Sequence, residues 1–133
     1  MSVLLEKYPF MSRKFSIPDR LKSFVYAWSG IKQVFRSEHN MWIHLSLAVV
    51  TIALAIFMKV SKGEWMALVL VMVLVVMAEL FNTAIEKTMD FISKEKHPQI
   101  KQIKDIAAGA VLVAATAAII VGCFIFIPKL FLK

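Results

Sequence analysis

Residues 79–90 read ELFNTAIEKTMD and follow directly on the apolar run WMALVLVMVLVVMA at 65–78. That run carries no charge, and helical spacing continues it through Leu80, Phe81, Ala84 and Ile85. A hydrocarbon core about 30 Å thick is crossed by roughly 20 residues of helix, so a segment over about 65–86 can span it. Into this span the chain sets Glu79, Asn82 and Glu86, with Asp90 just beyond. Steps of three, four and four residues, at about 100° per residue, keep the four within roughly 80° of one another. One helix is therefore apolar along most of its length and acidic on one face at one end. A carboxylate in hydrocarbon is costly and marks function, so this stretch decides the class: an all-α membrane protein with polar chemistry at one membrane face.

Two further stretches match it. Residues 43–58, IHLSLAVVTIALAIFM, gain a turn from Met41-Trp42 and give a span over about 41–58. Residues 106–127 end at Pro128 and give a third over about 105–127. No segment alternates with period two over about ten residues, which excludes transmembrane strands. The composition agrees. Of the 133 residues, 59% are hydrophobic and 19% charged, against roughly 45–50% and 25% in soluble domains. A soluble globule of this size could not bury that much apolar surface, and a disordered chain would need far less of it. Cys123 is the single cysteine, so no disulfide framework exists. Residues 1–133 read as one integral-membrane domain. The net charge of +7 then points to anionic lipid headgroups rather than nucleic acid.

The positive charges orient the spans. Seven Lys and Arg precede the first (Lys7, Arg13, Lys14, Arg20, Lys22, Lys32, Arg36), and five lie in the polar segment 87–104. Two lie in the short turn between the first and second spans (Lys59, Lys62), and two at the C-terminus (Lys129, Lys133). The excess on alternate sides predicts a cytoplasmic N-terminus and a cytoplasmic 87–104 loop, with His97-Pro98 as its break. Residues 1–20 lack the apolar core of a signal peptide. Over about 20–38, Leu21, Phe24, Val25, Trp28, Ile31, Val34 and Phe35 recur with helical period, with Lys22, Ser29, Lys32 and Arg36 on other faces. This is an amphipathic helix, lying in the membrane interface or packed on a partner.

The acidic face needs a cation, a shared proton or basic neighbours, because like charges so close repel. Oxygen ligands alone suit a hard ion such as Mg²⁺; Lys87 or Lys94 could instead pair with the carboxylates. Glu38, His39 and Asn40 sit at the edge of the first span, level with the lower end of this face. Lys104-Asp105 opens the third helix, where a lysine and a helix N-terminus both attract phosphate. His44, one turn inside the first span, is a ligand or a satisfied interfacial residue. Ala107, Ala108, Gly109 and Ala110, followed by Ala114 and Ala118, form a small-residue face suited to close helix contacts. Gly30, Gly63, Gly109 and Gly122 are isolated, so no glycine loop cradles phosphates. Zinc spacing and a Gly-x-Ser-x-Gly elbow are also missing from the sequence.

The string Glu79-x-x-Asn82-Thr83-Ala84-Ile85-Glu86-x-x-x-Asp90, followed by Lys104-Asp105-x-Ala-Ala-Gly-Ala-Val111, resembles the prokaryotic diacylglycerol kinase family over about residues 20–128. The resemblance implies three transmembrane helices, an N-terminal surface helix and a homotrimeric bundle in the bacterial inner membrane, with active sites near the cytoplasmic face. It implies transfer of a phosphoryl group from Mg·ATP to the hydroxyl of a lipid alcohol, without a P-loop. By the same resemblance Glu79 is the general base, Asn82 orients the reacting groups, and Glu38 and Glu86 hold Mg²⁺ on the ATP phosphates. Lys104, Asp105 and Tyr26 would contact the nucleotide, bordered by Glu95 and His97. Arg20 is the nearest basic residue for a further nucleotide contact, one position out of register. Ala108, on the lipid side of the site with Glu79, stands where diacylglycerol-phosphorylating enzymes of Gram-negative type carry Ser. That departure, with Asn40-x-x-x-His44, is similar to the branch that includes undecaprenol kinases.

Two other classes fit parts of the pattern. A small proton-coupled transporter could use a membrane-embedded Glu79, although it would need that acid near the midplane with access from both sides. A non-catalytic membrane subunit could assemble through the alanine face.

Overall fold

A computed structural model describes residues 16–131. Four helices follow one another: α1 Ile17–Ser37, α2 His39–Phe57, α3 Lys62–Ile92 and α4 Pro98–Phe131. No strand occurs among the described residues. The three expected spans are α2, α3 and α4, each long and apolar enough to cross a membrane. Lys7, Arg13, Lys14 and Lys133, which enter the charge asymmetry, lie outside the described residues. The chain groups into two units divided between Lys32 and Gln33, so most of α1 belongs to the first and its last turn to the second.

The helices run past their apolar stretches. Helix α3 continues through Thr88 and Asp90 to Ile92, and α4 begins at Pro98. The 87–104 segment, expected as a loop, is thus helical except at 93–97. Hydropathy marks where a helix meets lipid, whereas its ends are set by backbone hydrogen bonding. Ser93 ends α3 in extended geometry, its N–H bonded to Met89 O. Pro98 starts α4, where its fixed φ suits the first turn and its missing N–H costs nothing. Pro128 lies inside α4 rather than ending it, and Lys129 in the extra turn pairs with Glu64 at 3.1 Å.

The α2–α3 turn is built from two caps. Val60 N–H bonds Ala55 O at 3.1 Å and Lys59 N–H bonds Ile56 O at 3.2 Å, the paired bonds of a Schellman ending. Lys59 takes the left-handed position, with φ 49°. Ser61 then opens α3 with a capping box: Glu64 N–H donates to Ser61 Oγ at 3.4 Å, and Ser61 N–H donates to Glu64 Oε2 at 2.6 Å. The turn buries Val60 against Ala55, Leu68 and Ile125, with Trp65 and Phe126 packed around them. From there α4 lies along α3, while α2 touches α3 more sparingly. Large apolar side chains such as Leu70, Leu112, Ile119 and Phe124 stay exposed, as expected of a chain whose solvent is partly lipid.

Candidate active site

Helix α3 buries Leu68, Val71, Val75, Glu79, Asn82 and Thr83. These follow one another at the three- and four-residue steps of a single face. The face that packs the apolar core at one end therefore carries a carboxylate and an amide at the other. Glu79 is 2% exposed, Glu86 is half-buried, and Asp90 is exposed. Burial falls along the face toward the end where α2 begins and α3 gives way to α4.

Helix α2 brings the remaining groups. His44, Glu38 and Glu86 lie within electrostatic reach of buried Glu79. Asn82 Nδ2 donates to Glu86 Oε1 at 3.3 Å, one helical turn on. Asn82 Oδ1 and Thr83 Oγ1 are buried without a hydrogen-bond partner among the described residues. Buried polar atoms are rarely left unpaired, and here two lie next to the most buried acid. Thr83 had no role in the sequence reading beyond its place in the string. Its burial follows from the same periodicity that places Asn82.

Of the residues expected at the nucleotide, Lys104 is tied to the acidic face through Asp90. Lys104 Nζ is 2.6 Å from Asp90 Oδ1, and Asp105 pairs with Lys101 one turn earlier. Both pairs are largely exposed, and such pairs open at little cost. His97 Nδ1 accepts from Gln99 N–H at 3.2 Å, so the imidazole caps the start of α4. Glu95 is exposed in the same short connection, and Ala108 is exposed on α4 beside buried Ala107. Arg20 and Tyr26 belong to the first unit, on the exposed part of α1.

No three His, Cys, Asp or Glu side chains among the described residues form a ready metal cage. Mg²⁺ carried by a nucleotide takes one or two carboxylates and completes its shell with phosphates and water. Glu38 and Glu86, both acting on Glu79, are a donor set of that kind. An apolar cavity of about 390 Å³ opens between α2, α3 and α4, with walls including Thr51, Val75, Ala118 and Gly122, and His44 on its lining.

Comparison with known proteins shows the family. The family model for prokaryotic diacylglycerol kinase matches residues 25–126. The undecaprenol kinase of Bacillus subtilis (strain 168) is 42% identical over 109 residues, covering 82% of this chain and 89% of that protein. A diacylglycerol kinase of Synechocystis sp. is 40% identical over 114 residues, covering 85% and 65%. The diacylglycerol kinase of Escherichia coli (strain K12) is 27% identical over 105 residues, covering 79% and 86%. The family match over residues 25–126, with identities of 42% and 40% to proteins named undecaprenol kinase and diacylglycerol kinase, makes this chain a lipid kinase of the prokaryotic diacylglycerol kinase family.

Proposed function

We propose that the chain transfers the γ-phosphoryl group of Mg·ATP to the hydroxyl of a lipid alcohol at the cytoplasmic face of the bacterial inner membrane, with Glu79 as general base. The observation that carries this reading is the position of Glu79, buried on an apolar helix face yet acted on by Glu38, Glu86 and His44. A base there meets a lipid hydroxyl arriving from the bilayer side and a nucleotide arriving from water.

The lipid oxygen attacks the γ-phosphorus, and the bond from that phosphorus to the bridging β,γ oxygen breaks. Glu79 takes the hydroxyl proton, and ADP departs with the bridging oxygen. Asn82, tied to Glu86, keeps the two acids in fixed relation. Glu38 and Glu86 would hold Mg²⁺, which when bound would neutralise phosphate charge. Lys104 and Asp105 border the nucleotide, with Tyr26, Arg20, Glu95 and His97 as outer contacts. The working unit is a homotrimer with α1 as a surface helix and the N-terminus in the cytoplasm. The transporter reading is set aside, since the chain belongs to a kinase family.

Between the two lipid alcohols, undecaprenol is the favoured substrate. Ala108 in place of Ser supports it, as does the 42% identity to a protein named undecaprenol kinase. The test is incubation of purified protein with labelled ATP and either undecaprenol or diacylglycerol in mixed micelles. Labelled lipid phosphate is expected from both, more from undecaprenol. No transfer to either would refute the activity, and a preference for diacylglycerol would refute the substrate.

A further inference from the structure

The connection between α1 and α2 is a single residue, Glu38, with extended φ −108° and ψ 114°. A helix end leaves its last carbonyls without intrahelical partners. One of these, Phe35 O, accepts from Trp42 Nε1 at 2.8 Å, and the two rings meet edge to face with centroids 6.0 Å apart. The indole thus reaches back across Glu38 and closes the elbow. On the same elbow, Lys87 Nζ donates to Ser37 Oγ at 3.2 Å. Ser37 Oγ in turn donates to Glu38 Oε1 at 2.7 Å. A hydroxyl has one proton to give and lone pairs to receive, so this relay runs one way, from ammonium through hydroxyl to carboxylate.

We propose that Ser37 and Lys87 are positioning residues for Glu38: their relay holds one carboxylate oxygen and turns the other toward the cation shared with Glu86. The proposal rests on the reading of Glu38 and Glu86 as the Mg²⁺ pair.

The physical need is specific. Glu38 and Glu86 each lie within electrostatic reach of Glu79, and like charges repel. A glutamate on its own flexible side chain would swing toward water before the metal nucleotide arrives. A hydroxyl donor backed by an ammonium offsets that repulsion without filling both oxygens. Lys87 immediately follows Glu86, so the same relay ties Glu38 to the turn of α3 that carries its partner. Both Ser37 and Lys87 are exposed, where a polar contact adds little to stability. Its effect belongs in the geometry of metal binding.

The test uses the full chain in detergent micelles with a non-hydrolysable ATP analogue, and reads free Mn²⁺ by electron paramagnetic resonance. Ser37→Ala and Lys87→Met are each expected to weaken Mn²⁺ binding by about tenfold, as loss of an outer partner of a metal ligand does. Ser37→Thr keeps the hydroxyl and should bind as wild type, and the thermal midpoint should stay unchanged in all three. Glu38→Gln runs beside them and should weaken Mn²⁺ binding at least as much. If Glu38→Gln weakens binding while Ser37→Ala and Lys87→Met do not, the relay is refuted and the metal pair stands. If Glu38→Gln binds Mn²⁺ as wild type, the metal reading falls and the relay falls with it. If affinity drops only in step with the thermal midpoint, or Ser37→Thr fails to restore it, the residues are structural and the proposal is overturned.

Discussion

Lys104 Nζ lies 2.6 Å from Asp90 Oδ1, so an ion pair ties the early part of α4 to the last turns of α3. The lysine side chain is 31% exposed and the carboxylate 64%, and a pair this wet adds little to stability. Its use is direction. An ammonium has three N–H donors; Asp90 takes one and aims the others, which suits a phosphate.

Lys104→Met is therefore expected to raise the KM for ATP by about tenfold or more, the loss of a hydrogen bond to a charged group. Asp90→Asn should raise it by a smaller factor and leave stability unchanged, because the lysine keeps its charge and loses only its guide. Initial rates over an ATP series check both. A larger shift in Asp90→Asn than in Lys104→Met would refute this division of roles.

Glu79→Gln separates chemistry from folding. The amide matches the carboxylate in size and cannot accept the proton, so phosphoryl transfer should fall by a factor of at least about 10². Glu79 is 2% exposed, and a neutral group in that place removes the cost of burying charge. Stability should then be equal or higher. Labelled-ATP transfer gives the first quantity and thermal unfolding in micelles the second. Wild-type-like transfer would remove Glu79 from the mechanism.

The spans and the acidic face were legible because both follow the 3.6-residue period. The stripe Leu68, Val71, Val75 continues without a break into Glu79 and Asn82, and that continuity is written in the order of residues. The helix ends were less so. Residues 98–104 are helical because backbone bonding continues beyond the lipid, which hydropathy does not report. The S-x-x-E pattern at Ser61–Glu64 is a capping signature that local reading can find. Ser37 and Lys87 are another matter: they meet from fifty residues apart, and no local pattern in either segment announces the contact. Lys59 in left-handed geometry also had no signal, since lysine is not a residue that favours it.

That last position gives a stability test. The Schellman bonds of Val60 and Lys59 hold residue 59 at φ 49°, where a side chain meets the following carbonyl and glycine does not. Lys59→Gly should stabilise the chain by about 1 kcal/mol, the cost of the left-handed conformation for an ordinary residue. Unfolding in mixed micelles under increasing denaturing detergent measures it. The change lies at the end of α3 remote from Glu79, so phosphoryl transfer should be unaffected. A destabilised variant would mean that the lysine side chain contributes more than the backbone relief.

Substrate choice is tested at Ala108. It is exposed on α4, one residue beyond buried Ala107, so an added hydroxyl stays out of the packed core of the chain. Diacylglycerol carries ester carbonyls beside its free hydroxyl, and a serine can donate to one of them. Undecaprenol has a hydrocarbon chain there and offers no acceptor. One hydrogen bond contributes about 1 kcal/mol, so Ala108→Ser should raise the diacylglycerol-to-undecaprenol ratio of kcat/KM by about fivefold. The change should come from a gain on diacylglycerol, since an exposed hydroxyl on the polar side costs the other lipid little. Competition between the two lipids in one micelle, read by separating the phosphorylated products, gives the ratio directly. An unchanged ratio would show that residue 108 does not touch the part of the lipid that differs, and would move the specificity determinant elsewhere on the membrane-facing helices.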